Sequence, residues 1–425
     1  MTGRCPSTPT AIAWPDPNRR DYVGQMATPS DVEAAAPTGR DDLIDRFLDA
    51  AAELLTNNPP SAITGRGLAA AAGVNYGLLH RHIGSKNQAL ALAMDRIIDS
   101  FLADAFDPDT NLPRPNPLQS NETYWRASTY VMLDEATFRD VHTQSPVITR
   151  YRRGLAAARP ELSTHNVDVL VVVSAALHFG LAPLYRDGLA PALGLDAADP
   201  RIDELLVSWV DGLHEGHGPL GSVPKPRPLQ APIDNKSKAV PERPVGAKEQ
   251  LIEAGAALLS DRAPSAISGR ELALAAHVNY GLIHHYFRSK DEVLRQSLLW
   301  HRQNFFAATD REGRGADYFD VSHFPGFVRA LTWAAIDRGG GDGDGRLDMA
   351  VPVDGRHPSL ESLLTRVAER YGSLTKDQRI ALLASVSAQM AWVLLRPSVE
   401  IEFGYPVETL APDAAAVLHR LIRES

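Results

Sequence analysis

The chain repeats itself at an offset of 204 residues, and this limits what it can fold into more than any other feature. Ser61-Ala-Ile-Thr-Gly-Arg66 returns as Ser265-Ala-Ile-Ser-Gly-Arg270, Val74-Asn-Tyr-Gly-Leu78 as Val278-Asn-Tyr-Gly-Leu282, and Ser85-Lys86 as Ser289-Lys290. Aligned without a gap, residues 61–90 and 265–294 agree at 18 of 30 positions. Solenoid repeats run about 20–50 residues, so a period this long makes each copy a domain-sized unit. A chain of 425 residues has room for two such units, each with its own core. Later in each copy the likeness thins to Arg126-Ala127, Thr129 and Asp134 against Arg329-Ala330, Thr332 and Asp337, which points to common ancestry followed by divergence.

Apolar residues recur at helical spacing throughout. Ile44, Phe47, Leu48, Ala51, Leu54 and Leu55 share one face of a first helix, and Leu251, Ile252, Leu258 and Leu259 repeat the pattern in the second copy. Long apolar helices are expected over Leu170–Leu184 and Ile380–Leu395, and no alternating, turn-punctuated run argues for a sheet. The expected fold class is therefore all-α. A Pro-rich tail, 1–40, is expected to be disordered, and Met26 is an alternative start. Small helical domains are expected at 41–102 and 248–308, followed by larger helical domains at 103–220 and 309–425. Between the copies, 221–247 is rich in proline and basic residues and reads as a hydrated linker.

Several function classes are excluded or weakened. Cys5 is the only cysteine and lies in the tail, so one chain builds neither a disulfide framework nor a cysteine metal site, which fits a reducing cytoplasm. The longest apolar stretch, Val169–Leu184, falls short of the roughly 18 residues of a membrane span, and Pro6, Pro9, Pro15 and Pro17 stand where a secretory signal would be apolar. His214-Glu-Gly-His217 lacks the i, i+4 spacing of a two-histidine zinc helix and reads as a solvated loop. Gly339–Gly345 lacks the register of a calcium loop. Neither a nucleophile motif nor a phosphate-binding glycine loop is found, so no enzyme activity, cofactor or metal is expected. The net charge of -9 gives no support to general nucleic-acid binding, so any such role must rest on a local motif.

That motif lies inside the repeat. Thr64 and Ser268 stand where a helix N-cap is wanted. Crossing two helices closely needs a small residue at the contact, a turn residue tolerant of positive φ and an apolar plug in the second helix. Ala69, Gly73 and Leu79 supply these in the first copy; Ala273, His277 and Ile283 do so in the second, with His in place of the turn glycine. Read from Thr64 to Lys86, this order of capped helix, Ala-Gly-Val turn, short helix and Ser-Lys resembles the DNA-binding signature of the tetracycline-repressor (TetR) family, twice over. The chain departs from the family pattern at His80 and His284, where Tyr is usual, and at Ile83, where Phe is usual.

The resemblance implies two tandem units, each a three-helix helix-turn-helix domain followed by a helical ligand-binding and dimerisation domain. It implies a DNA-facing set of Thr64, Asn75, Tyr76, Gly77, Leu78, His80, Arg81 and Lys86, with Ser268, Asn279, Tyr280, Gly281, Leu282, His284, His285 and Lys290 as its counterpart. Lys86 and Lys290 are the expected phosphate contacts. The expected partner is a double-stranded DNA operator, bound by an intramolecular pseudo-dimer or a higher oligomer in the bacterial cytoplasm, at the nucleoid and away from membranes. Because Asn75–Leu79 and Asn279–Ile283 differ only at Leu79 against Ile283, the operator is expected to be nearly palindromic. A small apolar or amphipathic effector is expected between the later helices, with Tyr130, His178, Trp333 and Trp392 as candidate lining. The competing reading is a small-molecule-binding or interaction protein of the same fold that has lost DNA binding.

Overall fold

The computed structural model describes residues 39–115, 118–225, 246–311, 324–337 and 372–425. The expectations for the tail as far as residue 38, for Cys5 and Met26, for 226–245 of the linker and for Gly339–Gly345 lie outside the described residues. Among the described residues there is no strand, only an isolated bridge between Phe106 and Pro113. The protein is all-α.

The first copy begins with α1 (Arg40–Asn57), α2 (Gly65–Ala71), α3 (Tyr76–His82) and the longer α4 (Lys86–Ala105). Six further helices follow: α5 (Glu122–Leu133), α6 (Phe138–Val141), α7 (Pro146–Ala158), α8 (Thr164–Leu181), α9 (Pro183–Leu189) and α10 (Pro200–Glu215). The second copy repeats the opening as α11 (Ala247–Asp261), α12 (Gly269–Ala275), α13 (Gly281–Tyr286) and α14 (Lys290–Arg311), then adds α15 (Pro325–Ile336), α16 (Lys376–Phe403) and α17 (Ala411–Glu424).

Each opening bundle closes over a small apolar core. Phe47, Leu55, Leu68, Leu79 and Leu90 are buried in the first copy; Leu251, Leu259, Leu272, Ile283 and Phe287 form one cluster in the second, joined by Ala330 and Ala334 of α15. Burying a side chain of this size is worth about 1.5–3 kcal/mol, so five of them outweigh the weak intrinsic helicity of seven-residue segments such as α2.

The two copies meet in the middle of the chain's structure through α8 and α16, which pack on one another. Their backbones come close at Gly180, where an added Cβ would lie 2.5 Å from the carbonyl carbon of Ser387. α8 is buried on nearly every face, as a sequence of Val, Leu and Ala with almost no polar stripe requires. Both α8 and α16 are long and apolar enough to cross a membrane, and most of each is buried within the protein instead. Polar links reinforce the contact. Arg201 grips Asp377 with two hydrogen bonds of 3.1 and 2.7 Å, and the Tyr405 hydroxyl donates to Asp168, itself held by Arg152.

Candidate nucleic-acid interface and effector cavity

The two small helical heads are built from local signals that recur in both copies. The Thr64 hydroxyl accepts the Gly67 N–H at 2.9 Å and the Ser268 hydroxyl accepts the Glu271 N–H at 3.2 Å, so each caps the helix it precedes. Asn75 caps α3, its side-chain oxygen accepting the Gly77 N–H at 2.8 Å, and Asn279, one residue before the N-cap Tyr280 of α13, accepts the Gly281 N–H at the same distance. Between the two helices the chain turns at Gly73, φ +64°, and at His277, φ +55°. Arg46 secures the first turn by donating to the carbonyls of Ala72 and Gly73 at 2.9 and 3.0 Å; the second copy has Gln250 at that place.

The exposed faces of α3 and α13 carry the residues that the sequence singles out. Tyr76, Gly77, His80 and Arg81 are exposed and Leu78 is half-buried, while Leu79 and Ile83 point inward. Tyr280, Gly281, His284 and His285 repeat the exposed set around half-buried Leu282, with Ile283 and Phe287 inward. Arg66 and Arg270 are also exposed. Arg66, Arg81 and Arg270 make no ion pair among the described residues and so remain available to an anion.

Tyr76 and His80 form a unit. Their rings meet edge to face, the His80 Nδ1 donates to the Gly84 carbonyl at 2.7 Å, and its Nε2 lies 2.8 Å from the Tyr76 hydroxyl. Tyr76 also lies across the start of α2, where a Cβ on Gly65 would come within 2.7 Å of its ring; Tyr280 and Gly269 repeat this at 2.8 Å. Glycine at these two positions is what lets the tyrosine bridge the helices, a role the sequence alone left unread. The corresponding histidine contact in the second copy, His284 to Tyr280, is longer at 3.4 Å.

Lys86 and Lys290 are half-buried. Each ammonium donates to a backbone carbonyl before the second helix, of Pro60 at 2.8 Å and of Pro264 at 3.1 Å. Burial pulls the Lys86 pKa below its ordinary value, opposed in part by Asp134 and Asp140. Both lysines thus brace their heads, with N–H groups to spare for a phosphate.

A cavity of about 70 Å³ opens among α4, α5, α7 and α8 and is closed by Leu395 and Ser398 of α16. Its walls are apolar, with Phe101, Phe106 and Phe179 among them, and include the polar groups of Tyr124, Tyr151, His142 and His178. Burial pushes both histidines down to about 4 and raises both tyrosines, so all four are neutral near pH 7. His178 donates from Nδ1 to the Ser174 carbonyl at 2.8 Å, and its Nε2 is the acceptor nitrogen. The Ser145 hydroxyl donates to the Ser398 carbonyl at 2.7 Å and so accepts from His142 Nε2, leaving His142 Nδ1 as a second acceptor. Of the candidate lining residues, His178 is in this cavity; Tyr130, Trp333 and Trp392 are not among its walls.

His214 is corrected from the expectation of a solvated loop. It sits in α10 with Nε2 3.0 Å from the Tyr151 hydroxyl, and burial pushes it down to about 4; only His217, paired with Glu215, is exposed. Among the described residues no cluster of His, Cys, Asp and Glu could hold a metal.

The profile of the bacterial regulatory proteins of the tetR family matches the chain at residues 47–94 and again at 251–296, the two segments that carry these heads. The chain is similar to an HTH-type transcriptional repressor of Mycobacterium tuberculosis and to an HTH-type transcriptional regulator of Mycobacterium bovis. Each is 38% identical over 61 residues, which is 14% of this chain and 32% of the relative, so the match spans about a third of the relatives' length. The signature is thus present twice, and each copy folds around it: the chain carries two tandem segments that match the helix-turn-helix profile of the tetR family.

Proposed function

We propose that the chain is a sequence-specific DNA-binding transcriptional regulator whose two heads engage the half-sites of one near-palindromic operator, so that a single chain does the work of a dimer. The observation that carries this reading is the duplication of one exposed surface, Tyr76-Gly77-Leu78 with His80 and Tyr280-Gly281-Leu282 with His284, within a chain whose copies are joined through α8 and α16. Gly77 and Gly281 permit close approach of backbone to DNA, and Leu78 and Leu282 suit apolar groups such as a thymine methyl. Arg66, Arg81 and Arg270 supply phosphate contacts in a protein whose overall charge is acidic.

The cavity supports control by an effector. At about 70 Å³ it exceeds the space for one water, about 10–15 Å³, and falls short of the roughly 150 Å³ that takes a benzene ring. A larger ligand therefore displaces a wall, and the walls include both α4, which continues from the first head, and α16 of the second copy. Apolar surroundings with two acceptor nitrogens favour a neutral, largely apolar molecule bearing a hydrogen-bond donor. Such a ligand acts by shifting the balance between two arrangements of the heads.

Selection of bound sequences from a random DNA library by the full-length protein, at near-physiological salt, tests the reading. Enrichment of a near-palindrome bound by one chain supports it. Two unrelated half-sites, or binding only by dimers of the chain, refute the single-chain arrangement. No enrichment from folded protein favours the second reading, a sensor of the same fold without DNA binding, which the net charge of -9 and the Arg262–Glu271 pair beside the second head support.

A further inference from the structure

Outside the heads, the few residues that both copies share include one arginine in each, Arg126 and Arg329, and these tie one copy to the other. Arg126 in α5 donates from Nε to the carbonyl of Thr56, in the last turn of α1, at 3.0 Å, and from Nη2 to the carbonyl of Ile336, the last residue of α15, at 3.1 Å. Arg329 in α15 does the same in reverse. Its Nε donates to Ser260, in the last turn of α11, at 2.8 Å, and its Nη2 donates to Leu133, the last residue of α5, at 2.6 Å. The same nitrogen turns inward to its own head and the same nitrogen crosses to the other copy.

The residue after each crossed carbonyl completes the circuit. Asp134 accepts the Ser61 N–H at 2.6 Å, and Asp337 accepts the Ser265 N–H at 2.7 Å and the Ser265 hydroxyl at 2.9 Å. Ser61 and Ser265 open the segments that lead into α2 and α12. The first head is thus joined to the second by two routes, Thr56 through Arg126 to the end of α15 and Ser265, and Ser61 through the end of α5 and Arg329 to Ser260. Arg126 is 3% exposed and Arg329 has little side-chain exposure, so neither bond is diluted by solvent.

The chemistry explains why arginine occupies both places. The last carbonyls of a helix lack partners within it and carry its partial negative charge. A guanidinium presents several N–H groups in a fixed plane and can serve two helix ends at once, whereas an ammonium fixes no such geometry. We infer that Arg126 and Arg329 are a reciprocal pair of latches that hold the two heads at one separation and orientation, and so determine which half-site spacing the chain accepts. The spacing part rests on the proposed operator binding; the latch itself does not.

Two readouts separate the claims. In a Cys5→Ser background, spin labels at Ala70→Cys and Leu274→Cys, two exposed and equivalent positions on α2 and α12, report the distance between heads. The full-length protein should give one narrow distance distribution, and Arg126→Met with Arg329→Met a broad one. Arg126→Lys with Arg329→Lys keeps the charge but not the fork, and should also broaden it; this pair serves if the methionine variants fail to fold. In unlabelled protein, moving the half-sites apart by one or two base pairs rotates each by about 34° per step, and should cost the natural chain about a hundredfold in affinity through lost bivalency. The variants should lose less than about tenfold across the same series. An unchanged distance distribution in folded variants overturns the latch. A broadened distribution with the spacing preference intact overturns its role in operator choice. A broadened distribution from a protein that selects no DNA leaves the latch standing and refutes the regulator.

Discussion

Replacing Gly180 by alanine tests how the two copies are held together. The new Cβ would lie 2.5 Å from the Ser387 carbonyl carbon and 2.7 Å from both the Ser387 oxygen and the Ala388 nitrogen. Carbon atoms in contact normally sit about 3.5–4.0 Å apart, so α8 and α16 must separate locally by about 1 Å. All three opposing atoms are backbone, so no rotamer change on α16 can make room. Overpacking of this kind costs about 1–3 kcal/mol. Within an ordinary helix, glycine to alanine would return about 0.5–1 kcal/mol, so the net expectation is a loss of about 1–2 kcal/mol. At about 2–4 °C per kcal/mol for a unit of this size, thermal unfolding should fall by several degrees. Denaturant unfolding followed by tryptophan fluorescence gives an independent value. If Gly180→Ala proves as stable as the natural protein, or more so, the close approach of α8 and α16 is not a constraint and the reasoning fails.

His277→Gly should stabilise the second head by about 0.5–1 kcal/mol, because left-handed backbone costs a residue with a Cβ about 1–2 kcal/mol and glycine's freedom in the unfolded chain takes part of that back; a lower unfolding temperature would contradict it. Stability should also fall with acid. His142 and His178 are held near 4 by burial, below the ordinary 6.5, so their contribution is complete above pH 6.5 and is lost as the pH falls towards 4, while the unfolded chain takes up protons. Between pH 7.5 and 5 each should cost about 2 kcal/mol, and His142→Gln should shrink the difference measured by urea unfolding at those two values. Gly65→Ala and Gly269→Ala should push Tyr76 and Tyr280 off α2 and α12 and weaken DNA binding with little loss of helix; unaltered affinity in titrations with the selected operator would remove the tyrosines from the interface. Lys86→Met with Lys290→Met should cost stability, about 1.5–3 kcal/mol per charged hydrogen bond, and lower the salt slope of binding by about two. Lost stability with an unchanged slope would leave the lysines as braces alone.

What was legible in the sequence follows from how far each signal reaches along the chain. Caps and turns are decided within three or four residues, which is why Thr64, Ser268, Gly73 and His277 read correctly from letters alone. Burial of Leu79 and Ile283 followed from the same short pattern. The cavity did not, because its polar links join residues as distant as Ser145 and Ser398. Tyr151 and His142 carry no motif that would mark them as lining, and His214 was misread because its partner is a tyrosine on another helix. Arg126 and Arg329 form an intermediate case. Their match across the repeat was visible, yet their partners are backbone carbonyls, which leave no trace in a sequence.

The notch at Gly180 bears on how such a chain can change over time. Counted from the caps that start α8 and α16, Ser163 and Thr375, the position 17 residues on is Gly180 in one and Trp392 in the other. Two identical subunits would have to place the same residue on both sides of a shared interface, so every substitution would strike twice. A fused pair is free of that restriction: a residue lost on one side can be answered by a different one opposite, one step at a time. The two helices therefore differ at this count from their caps, and Gly180 meets the backbone of Ser387 and Ala388 rather than a side chain. In a fused chain the demand for a glycine at 180 falls on α8 alone and leaves α16 free to differ.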